Sequence, residues 1–178
     1  MALIVGRLSS QAAEDVDLLG RLVGLINDAY AIAEEGLWLT GVERTNLDQT
    51  YAALAAGRVL VGHVDGVLAG TVQTQEVDRS HVTFGTLAVD AAFSGRGVGS
   101  ALVRLVEMDA AAVGARFTRL EVLVAEPIHP HLERLVAWYS RLGYRDVGRT
   151  GLDQISPREV PFLCRACEVS LMERILPA

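Results

Sequence analysis

Apolar positions along the chain change period several times, and each change marks an element. Residues 3–8 read as a first strand. Ser9-Ser10, followed by Glu14, Asp15 and Asp17, places cap-forming residues and acids at a helix start. Val16, Leu19, Leu22, Val23, Ile26 and Tyr30 then recur at helical spacing. Thr45-Asn46-Leu47-Asp48 sets an acid three residues after a cap residue and opens a short helix ending near Gly57. Two apolar runs, 59–64 and 67–75, flank Asp65-Gly66, the strongest hairpin signal in the chain. A strand over 81–89 runs into a glycine-rich loop. Val98, Leu102, Leu105, Val106 and Val113 form a helical stripe closed by Gly114. A strand at 117–124, a helix at 132–142 stopped by Gly143, and closing strands at 144–149 and 162–172 complete the series. The order β-α-α-β-β-β-α-β-α-β-β predicts a mixed α/β sheet with helices on both faces.

Composition narrows this picture. The 178 residues suit one domain spanning 1–178, and no apolar run approaches the roughly 18 residues of a membrane span. Met1-Ala2-Leu3-Ile4-Val5-Gly6-Arg7 has no basic leader followed by a sustained apolar core, so a cytoplasmic protein without a membrane partner is expected. The net charge is −6, and the 16 basic residues, all arginine, form no run and alternate with no aromatics. That distribution argues against nucleic acid as a partner. Cys164 and Cys167 form a Cys-x-x-Cys without the second ligand pair that zinc requires, and reading 162–172 as a strand sends them to opposite faces. His129-Pro130-His131 likewise lacks further ligands at metal spacing; its proline shapes the entry to the next helix.

The chemistry concentrates in Phe93-Ser94-Gly95-Arg96-Gly97-Val98-Gly99-Ser100. Alternating glycines between a strand and a helix N-terminus let several backbone N–H groups converge on one anion, and Arg96 adds a positive charge. A Walker-type loop is excluded by the missing Gly-Lys-Ser/Thr. A dinucleotide fingerprint fits poorly, because Ser100 stands at the third glycine position and the loop lies mid-chain after a hairpin. The remaining pattern, Gln/Arg-x-x-Gly-x-Gly/Ala, resembles the coenzyme A pyrophosphate loop of the GNAT acyltransferase superfamily. Gly97 and Gly99 match its small positions, and Ser94 replaces the usual Gln or Arg. The resemblance extends over about residues 58–150. Leu87-Ala88-Val89-Asp90 resembles the strand that pairs with the pantetheine arm, 118–124 the strand that splays from it, and Trp138-Tyr139-Ser140-Arg141-Leu142-Gly143-Tyr144 the family's Tyr-x-x-x-Gly-Phe/Tyr motif.

The resemblance implies a GNAT fold with a mostly antiparallel mixed sheet, a V-shaped cofactor slot and no metal. It implies acetyl-coenzyme A as co-substrate, held by Leu87, Ala88, Val89, Ser94, Gly95, Arg96, Gly97, Val98, Gly99 and Ser100. Acyl transfer to the amine of a small molecule or peptide would follow, with Tyr139 protonating the departing thiolate. Leu132 stands where the family often carries Asn. Glu76, Asp78, His81 and Glu121 border the expected slot as candidate bases, and proton relay through water needs none of them. Glu34, Glu35 and Trp38 lie where the family roofs its acceptor site; the acids suit a cationic amine and the indole an apolar or cation–π wall. Alternatives are a longer acyl group, an alcohol acceptor, or a coenzyme A-binding regulatory domain without turnover. A homodimer through the C-terminal strand is a further expectation.

Overall fold

A computed structural model describes residues 2–177. Its elements are β1 (Leu3–Arg7), α1 (Val16–Ala33), α2 (Leu47–Ala55), β2 (Val59–Val64), β3 (Val67–Glu76), β4 (His81–Val89), α3 (Val98–Ala112), β5 (Phe117–Ala125), α4 (Pro130–Arg141), β6 (Arg145–Gly151), α5 (Leu152–Ile155) and β7 (Cys167–Ile175). They build one seven-stranded sheet in the order β1-β2-β3-β4-β5-β7-β6. Every neighbouring pair is antiparallel except β4 and β5. The α/β class and the mixed, mostly antiparallel sheet are those the sequence predicts.

Helices cover both faces, which explains the nearly continuous apolar run of β2. Leu60 and Val64 pack toward α3 with Val98, Leu102 and Val106, whereas Val59 and Val61 pack toward α1 and α2 with Leu22 and Leu54. The Asp65-Gly66 hairpin has positive φ at both turn residues, 49° and 83°, as a tight turn compatible with strand twist requires. The cap of α1 is Asp15, whose side chain accepts from the Leu18 N–H, and a short 3₁₀ turn over Ser10–Glu14 precedes it. In α2 the reciprocal capping box is Asn46 with Gln49, one residue beyond the predicted Thr45–Asp48 pair. Thr45 is buried instead, bonded to Asn27 and Thr50.

Two features position α3, one at each end. Gly62 and Gly70 face each other across β2 and β3. A Cβ on Gly70 would lie 2.9 Å from both the Ala88 carbonyl oxygen and the Val98 side chain, and one on Gly62 would lie 3.1 Å from Val98. This glycine pair lets the first turn of α3 sit directly on the sheet. At the far end of the helix Arg174 donates to both Glu107 carboxylate oxygens at 2.8 and 2.9 Å. The Tyr144 hydroxyl joins them, 3.0 Å from Glu107 and 2.9 Å from Thr118.

The C-terminal third corrects the sequence reading. Residues 160–162 form a 3₁₀ turn, and β7 begins only at Cys167. Cys164 therefore lies in the loop before the strand, exposed, so the opposite-face argument for the cysteine pair does not apply. The loop departs from extended pairing because its backbone bonds instead to the segment after α1: Leu39 N–H donates to Phe162 O at 2.8 Å and Cys164 N–H to Leu37 O at 2.8 Å. The strand β7 lies between β5 and β6 with both edges paired, so it offers no edge for joining two copies. Among the described residues no helix is long and apolar enough to cross a membrane.

Substituting Gly70→Ala is expected to cost about 1–3 kcal/mol in chemical denaturation, because the added methyl meets backbone as well as side chain. An unchanged midpoint would show that α3 does not rest on this glycine.

Candidate functional site

The parallel pairing of β4 with β5 lasts for three residue pairs, His81–Phe117, Val82–Thr118 and Thr83–Arg119. Beyond these the strands part, and a cavity of about 790 Å³ opens between them. One edge of β4 stays on β3, so its backbone from Phe84 to Val89 presents the other edge to the cavity. A bulge adjusts that edge. Ala88 faces Thr71 and Gly85 faces Gln73, so β4 carries one residue more than β3 between the two pairs. Thr86 absorbs it with φ of 52°, a left-handed conformation that costs a β-branched residue roughly 1–2 kcal/mol.

The glycine loop closes one end of the cavity. Asp90 accepts from the Ala92 N–H and starts a 3₁₀ turn over Ala91–Phe93, after which Gly95 and Gly97 take φ of 73° and 82°. Gly97 is the N-cap of α3, and the first turn contains no acid. The N–H groups of Val98, Gly99 and Ser100 have no partner within the helix, so they and the dipole face outward as an anion cradle. Ser94, Gly95, Gly97, Val98, Gly99 and Ser100 line the cavity, as do Leu87, Ala88 and Val89. Arg96 does not. Its guanidinium lies 5.6 Å over the Phe93 ring, outside the lining.

The opposite wall comes from α4, which starts two residues earlier than the sequence suggests, with Pro130 in its first turn. Leu132 is buried against Leu37 and Ala125. Tyr139 is buried between Trp138, Phe84 and Tyr144, at ring separations of 4.7, 6.2 and 5.7 Å. Burial pushes its phenol well above the usual range, so it is protonated at neutral pH. Its hydroxyl has no hydrogen-bond partner among the described residues, although the residue lines the cavity. The second tyrosine of the motif differs: Tyr144 is tied to Thr118 and Glu107 and is structural.

Of the candidate bases only Glu121 lines the cavity. His81 turns to Asp78, 3.1 Å away, at the closed end of the strands, and Glu76 is exposed. Glu34 lines the cavity from the end of α1, and its carboxylate accepts from the Trp38 indole N–H at 2.6 Å. Burial raises the pKa of both Glu34 and Glu121, with Arg44 opposing the shift. Glu35 and Trp38 line a smaller neighbouring pocket of about 390 Å³ that shares Tyr30, Glu34 and Arg44 with the main cavity. Sequence reasoning missed Tyr30, Arg44, Arg58, Arg119 and His131, all in the lining. They come from five separate segments and share no spacing. His129 bonds the Glu35 carbonyl through Nε2 at 3.0 Å, and no group of three or more metal-type ligands occurs among the described residues.

Tyr139→Phe is expected to leave the thermal midpoint within error, since no intramolecular bond is lost. Tyr144→Phe should cost about 1–2 kcal/mol through its buried partner Thr118 and half-buried partner Glu107. The reverse order would show that the Tyr139 hydroxyl is structural.

Residues 21–144 match the model of the Acetyltransferase (GNAT) family. No curated protein matches the chain. Among solved structures, yncA of Salmonella typhimurium with its cofactor acetyl-CoA aligns with TM-score 0.69 at 16% identity, covering 100% of this chain and 96% of that one. An aminoglycoside 6'-N-acetyltransferase complexed with coenzyme A aligns with TM-score 0.70 at 13% identity over 98% of each chain. A ribosomal-protein-alanine N-acetyltransferase from Brucella melitensis aligns with TM-score 0.68 at 16% identity, over 97% of this chain and 99% of that one. At these identities the likeness shows the fold.

Proposed function

Because the chain belongs to the acetyltransferase (GNAT) family, we propose that it carries an acetyl group from acetyl-coenzyme A to a primary amine by direct transfer. The observation that carries this reading is the parting of β4 from β5 after three pairs. It puts an open strand edge, an anion cradle and an unpartnered tyrosine hydroxyl on one cavity. Acetyl-coenzyme A-bound and coenzyme A-bound proteins of the same fold support the choice of co-substrate.

In this reading the pyrophosphate sits on the N–H groups of 97–100, with Ser94 and Gly95 beside it. The pantetheine amides pair with the open edge of β4 at Leu87, Ala88 and Val89, as an added strand would. Arg96, released from Phe93, reaches the phosphates from outside the lining. The neutral amine attacks the thioester carbon, and the oxyanion that forms is met by β4 N–H groups near the bulge. As the tetrahedral intermediate collapses, the carbon–sulfur bond breaks and the sulfur takes the Tyr139 proton. The amine loses one proton, which returns to the Tyr139 phenolate through the base or water, so amide and free thiol are the balanced products and the enzyme is restored. Glu34 and Glu121 are the carboxylates in the lining, and their raised pKa makes them better proton acceptors than solvated acids, directly or through water.

Two measurements test this. Calorimetry with acetyl-coenzyme A is expected to give one site per chain, weakened at least about tenfold by Gly97→Val, which cannot hold the left-handed cap. No binding by the wild-type protein would overturn the reading. In a thiol-release assay, Tyr139→Phe is expected to lower kcat by about 10²-fold while leaving the acetyl-coenzyme A Kd unchanged. An unchanged kcat would remove Tyr139 from the chemistry.

A further inference from the structure

Three arginines line the main cavity, and two of them are engaged. Arg119 holds Glu173 at 2.6 Å. Arg44 lies 4.8 Å over the Tyr30 ring and is electrostatically coupled to Glu34. Arg58 makes no ion pair among the described residues, and its Nε is shut off from solvent with no hydrogen-bond partner. A buried guanidinium N–H without an acceptor is uncommon, because leaving it unmade carries the full desolvation cost. The residue is half-buried, at the entrance to β2, with its backbone carbonyl accepting from the Thr74 N–H at 2.8 Å. Gln73 and Gln75 line the cavity beside it.

Arg58 is remote from the first turn of α3. Along β3, Gly70 faces Val89 at the loop end, and Thr74, bonded to Arg58, lies four residues further on. At about 3.4 Å per residue that is about 14 Å, so an anion at Arg58 is separate from one held by the N–H groups of 97–100. The same cavity holds carboxylates at Glu34 and Glu121. Resting on the acyltransferase reading above, we propose that the acceptor is an amine that also carries a carboxylate, with Arg58 binding the carboxylate and the acidic pair facing the amine.

A guanidinium–carboxylate contact formed on binding discriminates strongly, because an analogue lacking the acid leaves that charge-assisted pair unmade. The test is a thiol-release panel of amino acids, each paired with its decarboxylated amine, on the wild-type chain, Arg58→Gln and Arg58→Lys. The wild-type protein is expected to favour the carboxylated member of a pair by about 10- to 100-fold in kcat/KM. Arg58→Gln should collapse that ratio toward unity through KM, and Arg58→Lys should restore part of it. Calorimetry with acetyl-coenzyme A reports folding of each variant and should give an unchanged Kd. Equal or better turnover of the decarboxylated amines overturns the assignment. So does turnover of neither set by a protein that binds acetyl-coenzyme A. A weaker acetyl-coenzyme A Kd in Arg58→Gln would make the cofactor the anion and overturn it as well. Failure of the wild-type chain to bind acetyl-coenzyme A overturns the acyltransferase reading itself, so the two failures are told apart.

Discussion

The structure turns on an interrupted ladder. Parallel strands normally continue pairing, because each unpaired N–H and carbonyl buried beside its neighbour costs free energy. Here β4 and β5 stop after Thr83–Arg119 and separate. The sheet is held on both sides of the gap, by β3 along β4 and by β7 along the whole of β5. The opening is thus a fixed gap in a continuous seven-stranded sheet. Everything placed on it, from the anion cradle to the tyrosine, inherits its rigidity.

Close packing sets the accuracy of that placement. The facing glycines Gly62 and Gly70 bring Val98 and Leu102 onto the sheet, and the loop before them is pinned by Asp90. On the other wall, Tyr139 is wedged among three aromatic rings, and Tyr144 anchors the end of α4 to Thr118 and Glu107. Two tyrosines five residues apart therefore do different jobs. One is satisfied and holds the helix; the other makes no hydrogen bond to the described residues and lines the cavity.

Much of this was legible in the chain, for identifiable reasons. The glycine loop, the hairpin at Asp65-Gly66 and the stripe from Val98 to Val106 are local signals, set by φ and by helical period. The Tyr139–Tyr144 motif added the second wall. Of the rest of the lining, Glu34 and Glu121 were legible as candidates, whereas Arg44, Arg58 and His131 were hidden because they meet only through tertiary folding. The bulge at Thr86 was hidden too, since a threonine gives no sign of a left-handed backbone. The terminal strand was placed too early because 162–167 is as apolar as a strand, yet its backbone groups bond to Leu37 and Leu39. Arg96 is the one residue of the 93–100 loop outside the lining, its charge lying over Phe93.

Acetyl-coenzyme A is proposed to lie in the gap between β4 and β5. Residue-resolved amide exchange with and without acetyl-coenzyme A tests it most directly. New protection is expected at the open edge of β4 over 87–89 and at the first turn of α3 over 98–100, with little change at β1 and β6. Protection confined to other segments, with these amides unchanged, would contradict it.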